Sequence, residues 1–271
     1  MLISCNLHTH TTFSDGKNTP EEMVLAAIDA GLQTIGFSEH SATPRQSVFG
    51  MTAESQQLYR KEILRLKDAY GDRIHILLGI EQDSFAGTPA DAYDYVIGSV
   101  HYVRCGEDYI PVDDSAEKLR IGAREHFGGN LYALAAAYFA AVAGIVEQTS
   151  CDIVGHFDLI TKFNEDGAMF DEADYRYRRP ALDALDALLA KDVRFEINTG
   201  AISRGYRRTP YPSAWVLRRI AEKKGRIVLN SDVHSKEHLL CFFPEAVQYA
   251  RSCGVGGIDV LTREGWKCVP I

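Results

Sequence analysis

Leu2-Ile3-Ser4-Cys5-Asn6-Leu7-His8-Thr9-His10 leads, after a polar stretch, into Thr19-Pro20-Glu21-Glu22 and then Thr34-Ile35-Gly36-Phe37-Ser38-Glu39-His40. The first segment is a short apolar run that closes on two histidines. Thr19 is a good N-cap, Pro20 suits the first helical position and the two acids suit the first turn, so a helix starts here and stops at Gly31. The third segment is a second apolar run, closed by an acid and a histidine. Strand, helix and strand form one βαβ unit with ionisable residues at both strand ends.

The rest of the chain repeats that unit. Apolar, β-rich runs recur at 74–80, 95–100, 153–155, 193–198 and 226–230, which with 2–7 and 34–38 predicts seven strands. Helical patterns cover 53–70, 131–148, 173–190, 213–224 and 237–253. Right-handed crossovers of this kind give a mostly parallel sheet. Seven repeats without a Gly/Ser/Pro-rich linker predict one α/β domain over residues 1–271, a closed or nearly closed barrel, with an open doubly wound sheet as the alternative. No G-x-G-x-x-G follows the first strand, so a dinucleotide site has no support. Segments 42–51 and 103–130 read as long connections that would shape an active site at the strand exits.

The 271 residues are 46% hydrophobic and 24% charged, as expected of a globular protein with one large core. A net charge of −8 argues against non-specific nucleic-acid or anionic-membrane binding. It leaves room for an anionic small-molecule substrate held by local positive charge. No window is long and apolar enough for a transmembrane helix, and 131–146 reads as a packed Ala-rich helix. The first residues lack the basic region of a signal peptide. Six scattered cysteines without a C-x-x-C pair look like reduced, small hydrophobes. A cytoplasmic protein is expected.

The informative pattern is where ionisable residues fall. His8 and His10 close the first strand, Glu39-His40 the second, Glu81 the third, His101 the fourth and His156 the fifth, while Asp232 and His234 close the seventh. Barrel active sites are built at those carboxyl ends. A period of two puts His8 and His10 on one face, and likewise Asp232 and His234. One such residue alone would be an ordinary hydrogen-bonded side chain. Together they predict a multinuclear metal site, because a metal cluster offsets the cost of burying them. His75, at the start of the third strand, His126, in a loop or helix end, and His238, one turn into a helix, are not expected to be ligands. His238 could support a ligand from behind.

With Ser14-Asp15-Gly16, Gly79-Ile80-Glu81, Ser99-Val100-His101, Gly155-His156 and Ser231-Asp232-Val233-His234 added, the chain resembles the PHP (polymerase and histidinol phosphatase) family over essentially its whole length. Gly155-His156-Phe157-Asp158-Leu159-Ile160, Glu196-Ile197-Asn198-Thr199-Gly200 and Tyr211-Pro212-Ser213 resemble its stand-alone histidinol-phosphatase branch. The resemblance implies a distorted (β/α)7, TIM-like barrel holding three divalent metal ions at its strand ends. It implies that His8, His10, Glu81 and Asp232 bind one ion, that Glu81 bridges to a second completed by His101 and His156, and that Asp15, His40 and His234 hold the third. Glu39 stands where many relatives have Asp and is not an expected ligand.

Three carboxylates against three divalent ions leave a local charge of about +3, enough for an acidic protein to capture a phosphate dianion. The reaction expected is in-line attack on phosphorus by a metal-bridging hydroxide held by Glu81 and the histidine cluster, with no covalent phosphoenzyme. Zinc, manganese or iron(II) would suit these donors. Arg204, after the one strand without a ligand, and Lys162, six residues beyond His156, are the expected phosphate contacts. Arg207 and Arg208 read as solvated. No proton donor for the leaving alkoxide stands out. Glu107, Asp108, Asp113, Tyr102 and Phe49 are candidates for recognising a cationic, imidazole-bearing substrate.

The leading expectation is therefore a metal-dependent phosphatase that hydrolyses L-histidinol phosphate in histidine biosynthesis. A phosphatase for nucleotides, phosphotyrosine or another small phosphoester keeps the same chemistry. An amidohydrolase would leave Glu81, Asp15 and the Asp232/His234 pair unexplained. A catalytically silent PHP module should have lost ligands, and none is missing. The sequence gives no oligomeric state.

Overall fold

Buried β-branched runs on every second element drive the chain into a parallel sheet covered by helices. The computed structural model describes residues 3–43, 49–87, 89 and 93–271. Among them β1 (Cys5–Asn6), α1 (Pro20–Asp29), β2 (Thr34–Phe37), α2 (Ala53–Tyr70), β3 (His75–Asp83) and β4 (Tyr95–Ser99) form the first half. An antiparallel hairpin, β5 (Tyr102–Cys105) with β6 (Asp108–Pro111), and α3 (Ala116–Phe127), α4 (Leu131–Ala143) and α5 (Ile145–Thr149) follow. The second half is β7 (Ile153–Val154), α6 (Tyr175–Leu189), β8 (Arg194–Asn198), α7 (Gly200–Ser203), α8 (Ala214–Glu222), β9 (Arg226–Asn230) and α9 (Phe243–Ser252). A hairpin of β10 (Gly257–Thr262) and β11 (Gly265–Pro270) ends the chain.

Seven strands pair in the order β1-β2-β3-β4-β7-β8-β9, all parallel. The sheet curls until β1 and β9 meet at their carboxyl ends. Thr9 bridges Val233 there, with His10 N donating to Val233 O at 2.9 Å and Val233 N to His8 O at 3.1 Å. The result is the nearly closed seven-stranded barrel that the resemblance implied, and all seven expected strands are present.

Inside the barrel, the Tyr95 hydroxyl reaches the carbonyls of Leu7 and Phe37, which ties β4 across to the ends of β1 and β2. Its ring needs space that only glycine leaves. A Cβ on Gly36 or Gly79 would lie 2.4 or 2.2 Å from the phenol.

Four local readings are corrected. Segment 103–130 is not a loop; it holds most of the β5–β6 hairpin and α3. The helix expected over 131–148 breaks at Gly144 into α4 and α5. The helix expected from 237 starts at Phe243, because Pro244 suits only a first turn and Phe242 turns left-handed before it; a 3₁₀ turn covers Lys236–His238. The terminal β10–β11 hairpin has no counterpart among the expected elements. Arg194 holds it, pairing with Asp259 at 3.0 Å and lying 3.7 Å over the Trp266 ring. Of the long connection expected at 42–51, residues 44–48 lie outside the described residues.

Candidate metal centre

The strand ends converge as their sequence positions require. His8 Nε2 lies 3.4 Å from Glu81 Oε2 and 3.7 Å from Asp232 Oδ1, and His10 Nε2 lies 3.5 and 3.4 Å from the same two atoms. Donors about 2.1 Å from a tetrahedral zinc ion sit about 3.4 Å apart, so this quartet has the spacing of a shared ion. The other Glu81 oxygen, Oε1, lies 3.3 Å from His101 Nε2 and 3.0 Å from His156 Nε2. Asp15 lies 3.7 Å from His40 Nε2 and 3.2 Å from His234 Nε2. All nine sequence-derived candidates thus meet in one cluster, with Glu81 at its centre. His10 also falls within reach of the Asp15, His40 and His234 donors, and His40 Nδ1 is 2.8 Å from Glu81 Oε2, so the three groups abut rather than stand apart.

The electrostatics follow from burial. Burial opposes ionisation of Glu81, but His8, His40 and His101 override it and hold its carboxyl well below the usual carboxylate range. Asp232 is held down likewise, with Arg204 the chief partner against the cost of burial. His8 is pushed up: burial works against its charge, and Glu196, Glu81 and Asp232 together outweigh that. His10 goes the other way, down to about 3, because burial and the neighbouring His234 and His40 all disfavour its imidazolium. A neutral His10 keeps a lone pair free for a Lewis acid.

The donor set fits divalent metal ions. His8 Nε2, both nitrogens of His10, Glu81 Oε2 and His156 Nδ1 are buried without a hydrogen-bond partner. Buried polar atoms are almost always satisfied, and Glu81 Oε2 with His8 Nε2 and His10 Nε2, each within 3.5 Å of it, together indicate a ligand of the site. Mixed imidazole and carboxylate donors suit zinc, manganese or iron(II).

Residues behind the cluster fix its geometry, and most were not singled out from the sequence. Glu196 accepts from His8 Nδ1 at 2.7 Å, His156 N at 3.0 Å, and the side-chain amides of Asn198 and Asn230 at 2.9 Å. Asp83 accepts from His101 Nδ1 at 3.1 Å and Ser99 donates to Glu81 at 2.6 Å. Glu39, fully buried and not among the clustered donors, accepts from Thr11 N at 3.1 Å and from the hydroxyls of Thr11 and Ser14, which steadies the loop carrying Asp15. Asp232 adopts a left-handed backbone, φ 47°, and a Cβ on Gly200 would meet its Oδ2 at 2.6 Å. The signal for Glu196 was present: it shares strand parity with Arg194 and Asn198 in an otherwise apolar run.

A cavity of about 580 Å³ opens over the cluster, the size of a small-molecule site. Arg204 and Lys162 both line it. Arg204 Nη2 donates to Asp232 Oδ2 at 2.9 Å, and Lys162 Nζ to the Asp113 carbonyl at 2.6 Å. Asp113, Tyr102 and Phe49 line the cavity as expected, and Asp83 and Asp114 join them. Glu107 and Asp108 do not: they sit at the hairpin tip, with side chains 93% and 69% exposed. His238 lines the cavity wall, whereas His75, six residues before Glu81 on β3, lies about 20 Å away. His126 ends α3, 3.8 Å from Asp108. Arg208 is exposed and paired with Glu165 and Asp166, but Arg207, expected to be solvated, is buried.

Fold and donor set together define a parallel (β/α) barrel with a site for divalent metal ions. Within that class, the PHP domain model matches residues 6–200, and the chain belongs to the PHP domain family. A probable histidinol-phosphatase of Deinococcus radiodurans is 31% identical, with 96% of each chain covered. One of Schizosaccharomyces pombe is 28% identical over 97% of this chain and 90% of its own length. The crystal structure of Lactococcus lactis histidinol phosphate phosphatase, complexed with zinc, L-histidinol and phosphate, superposes with a TM-score of 0.72. It is 23% identical in sequence and covers 98% of this chain and 100% of its own.

Proposed function

We propose that this protein is a metal-dependent phosphomonoesterase that hydrolyses L-histidinol phosphate to L-histidinol and phosphate, a step of histidine biosynthesis. The observation that carries the reading is the convergence of nine His, Asp and Glu side chains, eight of them around Glu81, under a cavity flanked by two cations. The full-length relatives described as histidinol-phosphatases supply the substrate.

His8, His10, Glu81 and Asp232 would hold one divalent ion, Glu81, His101 and His156 a second, and Asp15, His40 and His234 a third. Bound ions there supply Lewis acidity toward phosphoryl oxygens and a water of lowered pKa. Zinc, manganese and iron(II) all suit the donors. Glu81 and Asp232, both ionised, keep the ring of histidines neutralised and oriented. Glu196 and Asp83 accept the far ring protons of His8 and His101 and so aim the other nitrogens inward. Arg204 and Lys162 stand where a phosphate dianion would need charge-assisted donors. Asp83, Asp113 and Asp114 give the rest of the cavity a negative lining for the ammonium group of an amino alcohol, with Tyr102 and Phe49 beside them for an aromatic ring. The chain functions as one domain. Its six separate, free cysteines fit a cytoplasmic setting, and no helix among the described residues is long and apolar enough to cross a membrane.

The test is kcat/KM for L-histidinol phosphate beside a nucleoside monophosphate, phosphotyrosine and a phosphodiester. Preference for histidinol phosphate by at least tenfold, about 1.4 kcal/mol in transition-state binding, is expected. Equal or better turnover of another ester would overturn the substrate assignment and keep the chemistry.

A further inference from the structure

Arg204 and Lys162 come from different crossovers, after β8 and after β7, and neither loop by itself fixes their separation. Exposed pairs of Arg208 with Glu165 and Asp166 join the loops at the surface, the buried Ser213 N–H reaches Asp158 at 2.8 Å, and a buried arginine joins them next to Lys162. Arg207 lies three positions after Arg204 on the turn that follows α7, with its backbone N–H on the Ala201 carbonyl at 3.3 Å. Its guanidinium crosses to the other loop and donates from Nη1 to the carbonyl of Thr161, at 3.0 Å, and to the Thr161 hydroxyl. Thr161 immediately precedes Lys162 in the 3₁₀ turn Leu159–Thr161, and its hydroxyl donates back to the Asp158 carbonyl at 2.7 Å. The Arg207 side chain is seated 4.9 Å over the Tyr211 ring. Between the two arginines, Tyr206 turns its ring toward the cavity and beneath Lys162 Nζ, 4.8 Å away.

Burying a guanidinium is costly, and a chain that needed only to close a turn would use an apolar side chain here. What this one adds is a buried link from the Arg204 loop to the residue just before Lys162. We infer that Arg207 is a positioning residue: by clamping Thr161 to the Arg204 loop, it holds Lys162 and Arg204 as a preformed pair for the phosphoryl group of the substrate. The inference rests on the phosphomonoesterase reading and extends it to a residue outside the cavity. A preformed pair avoids the ordering cost that two free, flexible cations would incur on binding.

The experiment uses the metal-loaded protein with inorganic phosphate as probe, alongside turnover of L-histidinol phosphate. Arg207→Met keeps an unbranched stem over the Tyr211 ring and removes the guanidinium clamp. Expected are a roughly tenfold weaker Kd for phosphate and a matching rise in KM, as for loss of one well-placed charge-assisted contact. Metal content and affinity for L-histidinol, which has no phosphate, should stay as in the wild type. Thr161→Val, which leaves no buried charge unpaired, should shift phosphate affinity in the same direction by a smaller factor, and it serves if Arg207→Met does not fold. A lowered melting temperature with unchanged phosphate affinity in the soluble variant would overturn the inference and leave Arg207 a packing residue. A wild-type protein that neither binds phosphate nor turns over any phosphomonoester would instead overturn the functional reading, and this inference with it.

Discussion

Glu196 Oε1 lies 2.7 Å from His8 Nδ1, with both side chains fully buried beneath the donor cluster. An accepting carboxylate at Nδ1 fixes the proton there and turns Nε2 toward Glu81 and Asp232. Glu196→Gln preserves the volume and removes the charge. Zinc affinity should fall by about 10- to 100-fold, the range typical of carboxylates that orient a ligating histidine. Calorimetric titration of the metal-free protein measures it.

Proton release provides a second test. In the metal-free protein His8, His40 and His101 are raised by carboxylate neighbours that outweigh burial, so zinc uptake must displace protons. Zinc affinity should fall as pH is lowered, and titrations in buffers of different ionisation enthalpy should show proton release. The same shifts govern stability. Raised histidines stabilise the metal-free fold below their unfolded value of about 6.5, and that contribution is lost as pH rises through the folded values. Depressed Glu81 and Asp232 stabilise it above about 4, and depressed His10 above about 6.5, and these contributions are lost as pH falls. Melting temperature with chelator present should therefore peak in mildly acidic solution, while the gain from added zinc should grow toward pH 8.

Gly200→Ala tests the placement of Asp232. The new methyl would meet the Asp232 carboxylate oxygen at 2.6 Å. Displacement of one ligand by a fraction of an ångström should lower kcat by roughly ten- to a hundredfold. Phosphate release read beside an unfolding curve separates this effect from loss of fold.

Gly79→Ala tests the barrel interior. Its methyl would collide with the Tyr95 ring at 2.2 Å, which should destabilise the protein by about 1–3 kcal/mol. Urea unfolding should show that cost shrinking when Tyr95→Leu is present, because the smaller side chain vacates the space.

The barrel was legible because its strands are buried on both faces and so read as apolar runs, six of the seven ending in a residue delivered to the site. His8, His10, Glu81 and His101 needed no tertiary information. Glu196 and Arg207 were less visible. Glu196 is one acid inside an apolar strand, and its role depends on which histidine lies across the barrel. Arg207 sits in a run with Arg208, and only the fold decides that one turns inward to Thr161 and the other out to Glu165. The β10–β11 hairpin has ordinary period-two alternation, but it follows the last barrel unit, where the repeat no longer directs attention.

The central claim is that hydrolysis depends on metal held by the Glu81 cluster. The direct measurement is phosphate release from L-histidinol phosphate by protein stripped with chelator and then titrated with zinc. The account predicts no turnover in the stripped protein, recovery as zinc is added, and no recovery in His101→Ala over the same range. Undiminished turnover by verified metal-free protein would contradict it.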